Sequence, residues 1–231
     1  MYLREVDRTI LQDMRYATAN NFTGRRVAGY EAAECILLRN VAEALARAQA
    51  ELWKSELSLK VYDCYRPRRA VQAFVEWAKM PGRTGESASY YPRLAKKDLL
   101  AGGYIAAPSS HSRGIAVDLT IVPMPEPKAP PFDTRARYGP CTGPAEARTP
   151  DNGLDMGTGF DCFDVLSHTS SPGIHEKQLK ARLILVDLMA KHGFENFLRE
   201  WWHFTFQDAT AHQSFDVPVL APSRRPPRLT P

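Results

Sequence analysis

The uneven distribution of proline most constrains how this chain can fold. Eight of its eighteen prolines lie between Pro123 and Pro150, and five more lie between Pro218 and Pro231. Because proline lacks a backbone N–H donor, neither stretch can form a regular helix or a central strand. The sequence therefore predicts one folded domain over residues 1–217, with a Pro-rich insert over 122–152. Residues 218–231, rich in arginine and proline, are expected to form a solvated, loosely ordered tail.

Outside these stretches, hydrophobic periodicity predicts helices alternating with strands. The predicted helices are Glu31–Glu56, Arg66–Met80 with Pro67 in its first turn, and Glu176–Phe194 with His192 in its last turn. The predicted strands are Ser58–Asp63, Gly114–Ile121 and Arg199–Phe206. No boundary divides these elements into two balanced groups. We therefore expect a single α+β domain with a small, mostly antiparallel central sheet flanked by helices.

Charge and hydropathy exclude two classes of partner. Lysine plus arginine, 30, minus aspartate plus glutamate, 26, gives a net charge of +4. Three of the arginines lie in the tail, so residues 1–217 carry 27 − 26 = +1, without the concentrated basic face of a nucleic-acid-binding protein. Aliphatic stretches such as Leu183–Val186 are far shorter than the ~20 residues that a bilayer span requires. We expect neither a nucleic-acid partner nor a transmembrane helix.

The four cysteines are Cys35, Cys64, Cys141 and Cys162, and they contain no C-x-x-C pair that would indicate a structural zinc site. A disulfide between Cys141 and Cys162 would close a long loop and contribute ~3 kcal/mol. Such bridges are typical of an oxidising compartment. Four thiols in a reducing cytoplasm are the alternative. The first residues lack the apolar core of a signal peptide, as the mature form of an exported protein also would.

Residue types that bind metals concentrate in two short segments, SSHSRGIAVDLT and EWWHF. The first contains His111 and Asp118, and the second contains His203. Two imidazoles and one carboxylate leave one position of a tetrahedral zinc ion open, as in catalytic rather than structural sites. Gly114 can turn the chain so that His111 and Asp118 face one point. The pattern predicts one zinc ion per chain, bound by these three side chains on the sheet.

Glu200 and Arg66 could complete a hydrolytic site. A zinc hydrolase needs a carboxylate that takes a proton from water and passes it to the leaving amine. Glu200 is available for this role because it is not one of the three predicted zinc ligands. Residues three apart on a flat strand point to opposite faces, so Glu200 and His203 converge only if the strand is bulged, twisted or edge-on. Arg66, beside Pro67, could stabilise the oxyanion formed when water attacks an amide. The alternatives are a surface arginine and structural roles for the acids and histidines.

Five motifs occur in order along the chain: RYATANNF (Arg15–Phe22), VYDCYRPRRAV (Val61–Val71), SSHSRGIAVDLT (Ser109–Thr120), MGTGFDCFD (Met156–Asp164) and EWWHF (Glu200–Phe204). Together they resemble the zinc-dependent D-alanyl-D-alanine dipeptidases of the VanX type. The resemblance covers nearly the whole chain except the tail. It implies the same zinc ligands, with Glu200 as general base and acid and Arg66 stabilising the tetrahedral intermediate.

The resemblance also implies how a small substrate is held. Asp161 would receive the free ammonium group of a D,D-dipeptide, while Tyr16, Ser109 and Ser110 would shape the pocket. Hydrolysis of D-Ala-D-Ala to two D-alanines is then the expected reaction. Another zinc D,D-carboxypeptidase or peptidoglycan endopeptidase is the nearest alternative. A zinc-containing binding module similar to the Hedgehog signalling domain is a further one.

The remaining expectations concern location and the other histidines. The resemblance implies a bacterial protein, and the cysteines favour a periplasmic or exported one over a cytoplasmic one. His168, His175 and His212 are expected to be surface or loop residues. The sequence leaves open the oligomeric state, the role of the insert, and whether hydrolysis would serve antibiotic resistance or D-alanine recycling.

Overall fold

The computed structural model describes residues 1–81, 87–105, 107–207 and 212–222. Within them the α-helices, α1 to α6, are Leu3–Val6, Arg39–Leu52, Arg68–Lys79, Ser87–Tyr90, Asp98–Ala101 and Glu176–Lys191. The strands, β1 to β5, are Leu11–Gln12, Leu57–Asp63, Ala116–Pro123, Phe194–Asn196 and His203–Phe206. Most of the predicted tail, from residue 223 onward, lies outside the described residues. Its start at 218–222 is not loosely ordered as predicted, because Val219 is fully buried and its amide donates to the carbonyl of Gly29.

The five strands form one sheet in the order β1-β2-β3-β5-β4. Only the β1–β2 pair is parallel, and the other three pairs are antiparallel. The central strand β3 is buried along its length except at Pro123, because neighbouring elements cover both of its faces. The predicted α+β domain with a mostly antiparallel sheet is confirmed.

Helix α2 supplies much of the apolar packing on the sheet. Its residues Val41, Leu45 and Leu52 are buried at helical spacing, and the helix packs against β2 and α6. Burying an aliphatic side chain of this size contributes about 1.5–3 kcal/mol. From Val41 onward, the apolar residues of the predicted helix therefore do form one buried face of α2.

The predicted bounds of that helix, Glu31 and Glu56, are wrong, because α2 begins at Arg39 and ends at Leu52, before a 3-10 turn. Residues 31–38 are not helical, and their backbone groups bond to other segments of the chain. The amide of Leu3 donates to the carbonyl of Cys35, and the amide of Tyr65 donates to the carbonyl of Ile36. These contacts outweigh helix propensity, since a helix over 31–38 would have to give them up.

An aromatic cluster connects the N-terminal segment with α3. Phe74 of α3 packs 4.9 Å from Tyr16 and 4.8 Å from Phe22, measured between ring centroids. Phe22 also contacts Trp77 of the same helix at 5.0 Å. Tilted and edge-on aromatic pairs of this kind hold rigid walls in place. Tyr16, Phe22 and Phe74 all line the cavity described below.

The Pro-rich insert is irregular, as predicted, whereas α3 and α6 differ by a few residues from the predicted helices Arg66–Met80 and Glu176–Phe194. Residues 124–153 contain no strand or α-helix, only a 3-10 turn at Ala145–Ala147. Helix α3 starts one residue after Pro67, and α6 ends at Lys191 with His192 as its C-cap. Within the described ranges, no helix has the length and apolarity needed to cross a bilayer.

Candidate active site

A short turn brings His111 and Asp118 to the same point. His111 lies in the 3-10 turn Ser110–Arg113, which ends at Gly114 in the left-handed conformation, φ +72°. A residue without a side chain adopts this conformation at little cost. Asp118, in β3, pairs in register with His203 of β5. The predicted role of Gly114 in turning the chain therefore matches the geometry.

The three predicted ligands have the spacing that one metal ion needs. Nε2 of His111 lies 3.0 Å from Nδ1 of His203 and 3.3 Å from Oδ1 of Asp118, and the last two atoms are 3.0 Å apart. Tetrahedral zinc with bonds of about 2.0–2.1 Å places its ligand atoms roughly 3.3 Å apart. The group could therefore hold a metal ion, with two nitrogens and one oxygen as donors that suit zinc.

Hydrogen bonds orient both imidazole rings. Nδ1 of His111 lies 2.6 Å from the carbonyl oxygen of Cys64. Since a carbonyl only accepts, Nδ1 carries the proton and Nε2 keeps its lone pair for the metal. The Nε2 atom of His203 lies 3.4 Å from the hydroxyls of Ser110 and Thr205. Each ring thus presents a different nitrogen to the shared point.

Glu200 does not lie on a strand, which corrects the predicted strand Arg199–Phe206. Strand β5 begins at His203, and residues 200–202 belong to the turn before it. The amide of Glu200 donates to the carbonyl of Phe197, and the amide of His203 donates to the carbonyl of Glu200. Because the chain turns here, Glu200 and His203 line the same cavity. The alternation of a flat strand therefore does not apply.

The environment of Glu200 suits a group that exchanges protons near neutral pH. Part of the side chain reaches the cavity, but the surrounding protein excludes enough water that burial raises the pKa of Glu200 to about 7, against the opposing charge of His203. A carboxyl with such a pKa can both accept and return a proton.

Arg66 is held from behind by Asp63. Its Nε donates to Oδ2 of Asp63 at 2.9 Å, and Nη2 lies 3.4 Å from Oδ2 of Asp118. Its guanidinium also stacks 5.1 Å from the ring centroid of Tyr16. Burial alone would lower the pKa of Arg66, but the adjacent carboxylate of Asp63 holds it well above its ordinary value. The group is a fixed positive charge in the cavity wall.

Asp161 is a buried carboxyl on the same cavity. Tyr16 donates a hydrogen bond of 2.8 Å to its Oδ2, and burial, followed by the charge of Asp118, raises the pKa of Asp161 well above its ordinary value. Its backbone is left-handed, with φ +57°. A non-glycine residue in this conformation costs energy and is common at functional sites. A cation next to this carboxyl would favour its ionised form.

The cavity is small and has a mixed lining. Its volume is about 190 Å³, below the ~300–1,000 Å³ of pockets that hold drug-sized ligands. The structure places all nine predicted site residues on its wall: Tyr16, Arg66, Ser109, Ser110, His111, Asp118, Asp161, Glu200 and His203. His168, His175 and His212 are outside the metal-ligand group.

Sequence reasoning missed the groups that support these residues. Tyr30 donates a 2.6 Å hydrogen bond to Oδ1 of Asp63, whose other oxygen binds Arg66. The position of Asp63 three residues before Arg66, at a strand end, could have indicated it. No signal in the sequence pointed to Tyr30, or to the aromatic wall residues Tyr104, Phe163 and Trp202.

Arg182 of α6 was also missed, and it organises the loop that carries Asp161. This buried guanidinium donates to the carbonyls of Met156, Leu166 and His168 at 2.6–2.9 Å. Burial lowers its pKa to about 10. Because one side chain joins both ends of the loop 156–168, it restricts where Asp161 can lie.

A small cavity that places three possible metal ligands beside a proton-accepting carboxyl and a fixed arginine is the arrangement of a metallopeptidase. The family model described as D-ala-D-ala dipeptidase, Peptidase_M15, matches residues 1–126 and 148–219. The chain belongs to this family of peptidases, and the resemblance seen in the five motifs is confirmed.

Curated relatives from several bacteria agree with the family match. A D-alanyl-D-alanine dipeptidase of Enterococcus faecium is 34% identical over 219 residues, 94% of this chain and 96% of the relative. One of Streptomyces coelicolor is 32% identical with the same coverage of both chains. One of Escherichia coli is 32% identical over 90% of this chain and 82% of its own length.

Proposed function

We propose that this chain is a zinc-dependent dipeptidase that hydrolyses D-Ala-D-Ala to two D-alanines. The observation that carries the proposal is the convergence of His111, Asp118 and His203 on one point in the cavity that also contains Glu200. The names of the relatives supply the substrate. One zinc ion per chain would be held by the two imidazole nitrogens and the carboxylate.

When bound, zinc supplies a Lewis acid that polarises the scissile carbonyl and acidifies water. Glu200 accepts a proton from the attacking water as the C–O bond forms, and returns it to the amine as the C–N bond breaks. Arg66 stabilises the negative charge that develops on the carbonyl oxygen. After it has released this proton, Glu200 is again an ionised carboxylate and can act in the next turnover.

Substrate selection in this proposal depends on Asp161 and Tyr16. The carboxylate of Asp161 receives the free ammonium group, and the Tyr16 hydroxyl holds that carboxylate in place. An acylated amine would lose the charge-assisted hydrogen bond, which is worth about 1.5–3 kcal/mol. Ser109 and Ser110 line the cavity near the metal ligands. The small volume of the cavity further favours a dipeptide over a long peptide.

The test is alanine release by the purified protein from D-Ala-D-Ala. L-Ala-L-Ala, amine-acetylated D-Ala-D-Ala and a chelator-treated sample serve as controls. Chelator-sensitive release only from the free D,D-dipeptide supports the proposal. Release from the acetylated substrate would instead indicate a D,D-carboxypeptidase or endopeptidase. No release from a zinc-loaded sample would favour a non-catalytic binding module.

Two further parts of the proposal concern organisation and location. We assign catalysis to residues 1–217, with 122–152 as an insert, since the family match omits 127–147. The structure contains two disulfides, Cys35–Cys64 and Cys141–Cys162. Because disulfides persist in oxidising compartments, they support an exported or periplasmic enzyme. Subcellular fractionation of the producing cells, followed by thiol labelling, checks this assignment.

A further inference from the structure

Cys64, which forms a disulfide with Cys35, lies next to the proposed metal ligand His111. The carbonyl oxygen of Cys64 accepts the 2.6 Å hydrogen bond from Nδ1 of His111, and both residues are almost fully buried. This bond sets the tautomer of His111 and fixes the rotation of its ring. The direction of Nε2 toward Asp118 and His203 therefore depends on where the Cys64 carbonyl lies.

The sheet does not hold that carbonyl. Strand β2 ends at Asp63, and residues 64–67 have no regular structure. One segment that holds Cys64 is residues 30–38, which have no regular structure apart from isolated β-bridges at Tyr30 and Ile36. The neighbouring Arg66 amide also donates to the carbonyl of His111. Two irregular segments cannot position each other through a regular ladder of hydrogen bonds, so individual links between them matter more.

Three links join residues 30–38 with the end of β2 and the residues that follow it. The disulfide connects Cys35 with Cys64, the Tyr65 amide donates to the carbonyl of Ile36 at 3.0 Å, and the Tyr30 hydroxyl donates to Asp63. The segment 30–38 is itself anchored, since the Cys35 amide donates to Oε1 of Gln12 in β1. The disulfide is the covalent link, and it is attached at the residue whose carbonyl orients His111.

The geometry points to the Cys35–Cys64 disulfide as a positioning element of the metal site. It fixes the Cys64 carbonyl and, through it, the His111 ring in the orientation that binds the metal. The inference rests on the proposed function, because it concerns the same three ligands. It predicts that the oxidised protein binds zinc more tightly than a folded protein without this bridge.

The second disulfide provides a matched control. Cys141–Cys162 closes a loop of 21 residues, compared with 29 for Cys35–Cys64, so loss of either lowers the stability of the fold to a similar extent. The Cys162 carbonyl accepts from the Ser167 hydroxyl, and the Cys141 carbonyl accepts from the Gly159 amide. Neither contacts a predicted metal ligand.

The experiment compares zinc affinity in three proteins: the wild type, Cys35→Ala/Cys64→Ala and Cys141→Ala/Cys162→Ala. The dissociation constant is measured by competition with a chromogenic chelator, at a temperature where circular dichroism shows all three to be folded. The Cys35/Cys64 variant is expected to bind zinc at least ~10-fold more weakly, the usual effect of losing an outer partner of a ligand. The Cys141/Cys162 variant should stay within about twofold of the wild type, although both variants melt earlier.

Equal affinity in the wild type and the folded Cys35/Cys64 variant would overturn the inference and leave the proposed function intact. An equal loss in both variants would also overturn it, because the effect would then be one of general stability. A wild type that binds no zinc would overturn both the inference and the proposed function. If Cys35→Ala/Cys64→Ala does not fold, Cys35→Val/Cys64→Val, which fills the space left by the sulfurs, takes its place with the same expected loss.

Discussion

Glu200 and His203 line one cavity because the His203 amide donates a 3.2 Å hydrogen bond to the Glu200 carbonyl, which closes the turn before β5. This turn places the carboxyl proposed as general base beside a proposed metal ligand without a strand between them. The two proposed functions belong to separate side chains and can be separated by mutation. Loss of one should leave the other measurable.

Replacing Glu200 with glutamine is expected to lower kcat for D-Ala-D-Ala by about 10²–10⁴-fold, the usual contribution of a general base. The amide has nearly the shape of the carboxyl but cannot take a proton from water. Zinc content, measured by elemental analysis, should stay at the wild-type value because the three ligands are intact. Glu195→Gln, at the exposed position of β4, is the control and should keep the wild-type rate. A wild-type rate in E200Q would show that another group is the base.

Replacing His111 with alanine should cause loss of bound zinc and not only loss of catalytic activity. Two ligands would remain, and we expect zinc affinity to fall by more than the ~10–100-fold seen for loss of an outer partner. Elemental analysis after dialysis measures zinc per chain, and circular dichroism checks the fold. His212→Ala removes an exposed histidine and should keep the full metal content. Retention of zinc by H111A would mean that the ligand set is different.

The hydrogen bond between Tyr16 and Asp161 leads to a prediction about KM. Tyr16→Phe removes the donor, so the carboxylate proposed to receive the ammonium group loses its fixed position. A hydrogen bond to a charged group is worth about 1.5–3 kcal/mol, which corresponds to a KM about 10- to 100-fold higher. Steady-state kinetics with D-Ala-D-Ala measures the change, and zinc content should not change. Tyr2→Phe, which loses an exposed bond to Leu220, is the control with unchanged KM. A changed zinc content in Y16F would contradict a role confined to substrate binding.

Asp151 should make stability depend on pH. Burial alone would raise its pKa, but Arg15 and Lys60 outweigh burial and hold the pKa of Asp151 below its ordinary value. A depressed folded-state pKa contributes stability that is present above the unfolded value of roughly 4 and is lost as pH falls through the folded value. Asp151→Asn removes this charge from the buried cations Arg15 and Lys60. The cost is about 1–2 kcal/mol at pH 7, because the Asp151 side chain is 28% exposed and Arg15 keeps its ion pair with Asp13.

Urea unfolding of the wild type and D151N at pH 7 and at pH 3 measures this difference. The gap in the free energy of unfolding should shrink at the lower pH, because the Asp151 carboxyl is then largely protonated in the unfolded chain, which favours unfolding of the wild type. Asp133→Asn, whose side chain is 45% exposed in the insert, should change stability by less than about 0.5 kcal/mol at pH 7. A gap of the same size at both pH values would show that the charge of Asp151 is not the cause.

Much of the site could be predicted from sequence because its parts are local. His111, Gly114 and Asp118 lie within one turn and one strand, so residue type and spacing indicated that they lie together, and the family resemblance singled them out from structural alternatives. The convergence of Glu200 with His203 was predicted only for the case of a bulged, twisted or edge-on strand. The hydrophobic pattern extends the strand back to Arg199, whereas the chain turns before β5 begins at His203. Aromatic residues favour strands, but Trp201 and Trp202 lie in this turn.

What the sequence could not supply are contacts between distant segments. The segment 31–38 has helical periodicity, yet its bonds to Leu3 and Tyr65 override that propensity. The link between Cys35 and Cys64 could not be chosen by spacing, because four cysteines allow three pairings. The Tyr30–Asp63 hydrogen bond spans 33 residues. Such contacts depend on the sheet order, which periodicity does not determine.

Arg66→Lys tests whether charge alone is enough to stabilise the developing oxyanion. Lysine keeps the positive charge, but it lacks the planar group that contacts Asp63 through both Nε and Nη2 while the side chain lines the cavity. We expect kcat for D-Ala-D-Ala to fall by about 10²–10³-fold, as when one donor to an oxyanion is removed. Zinc affinity and KM should change much less. Arg69→Lys, at an exposed ion pair with Asp216, is the matched control with wild-type kinetics. If R66K keeps full kcat, a positive charge at this position is sufficient and the positioning by Asp63 is dispensable.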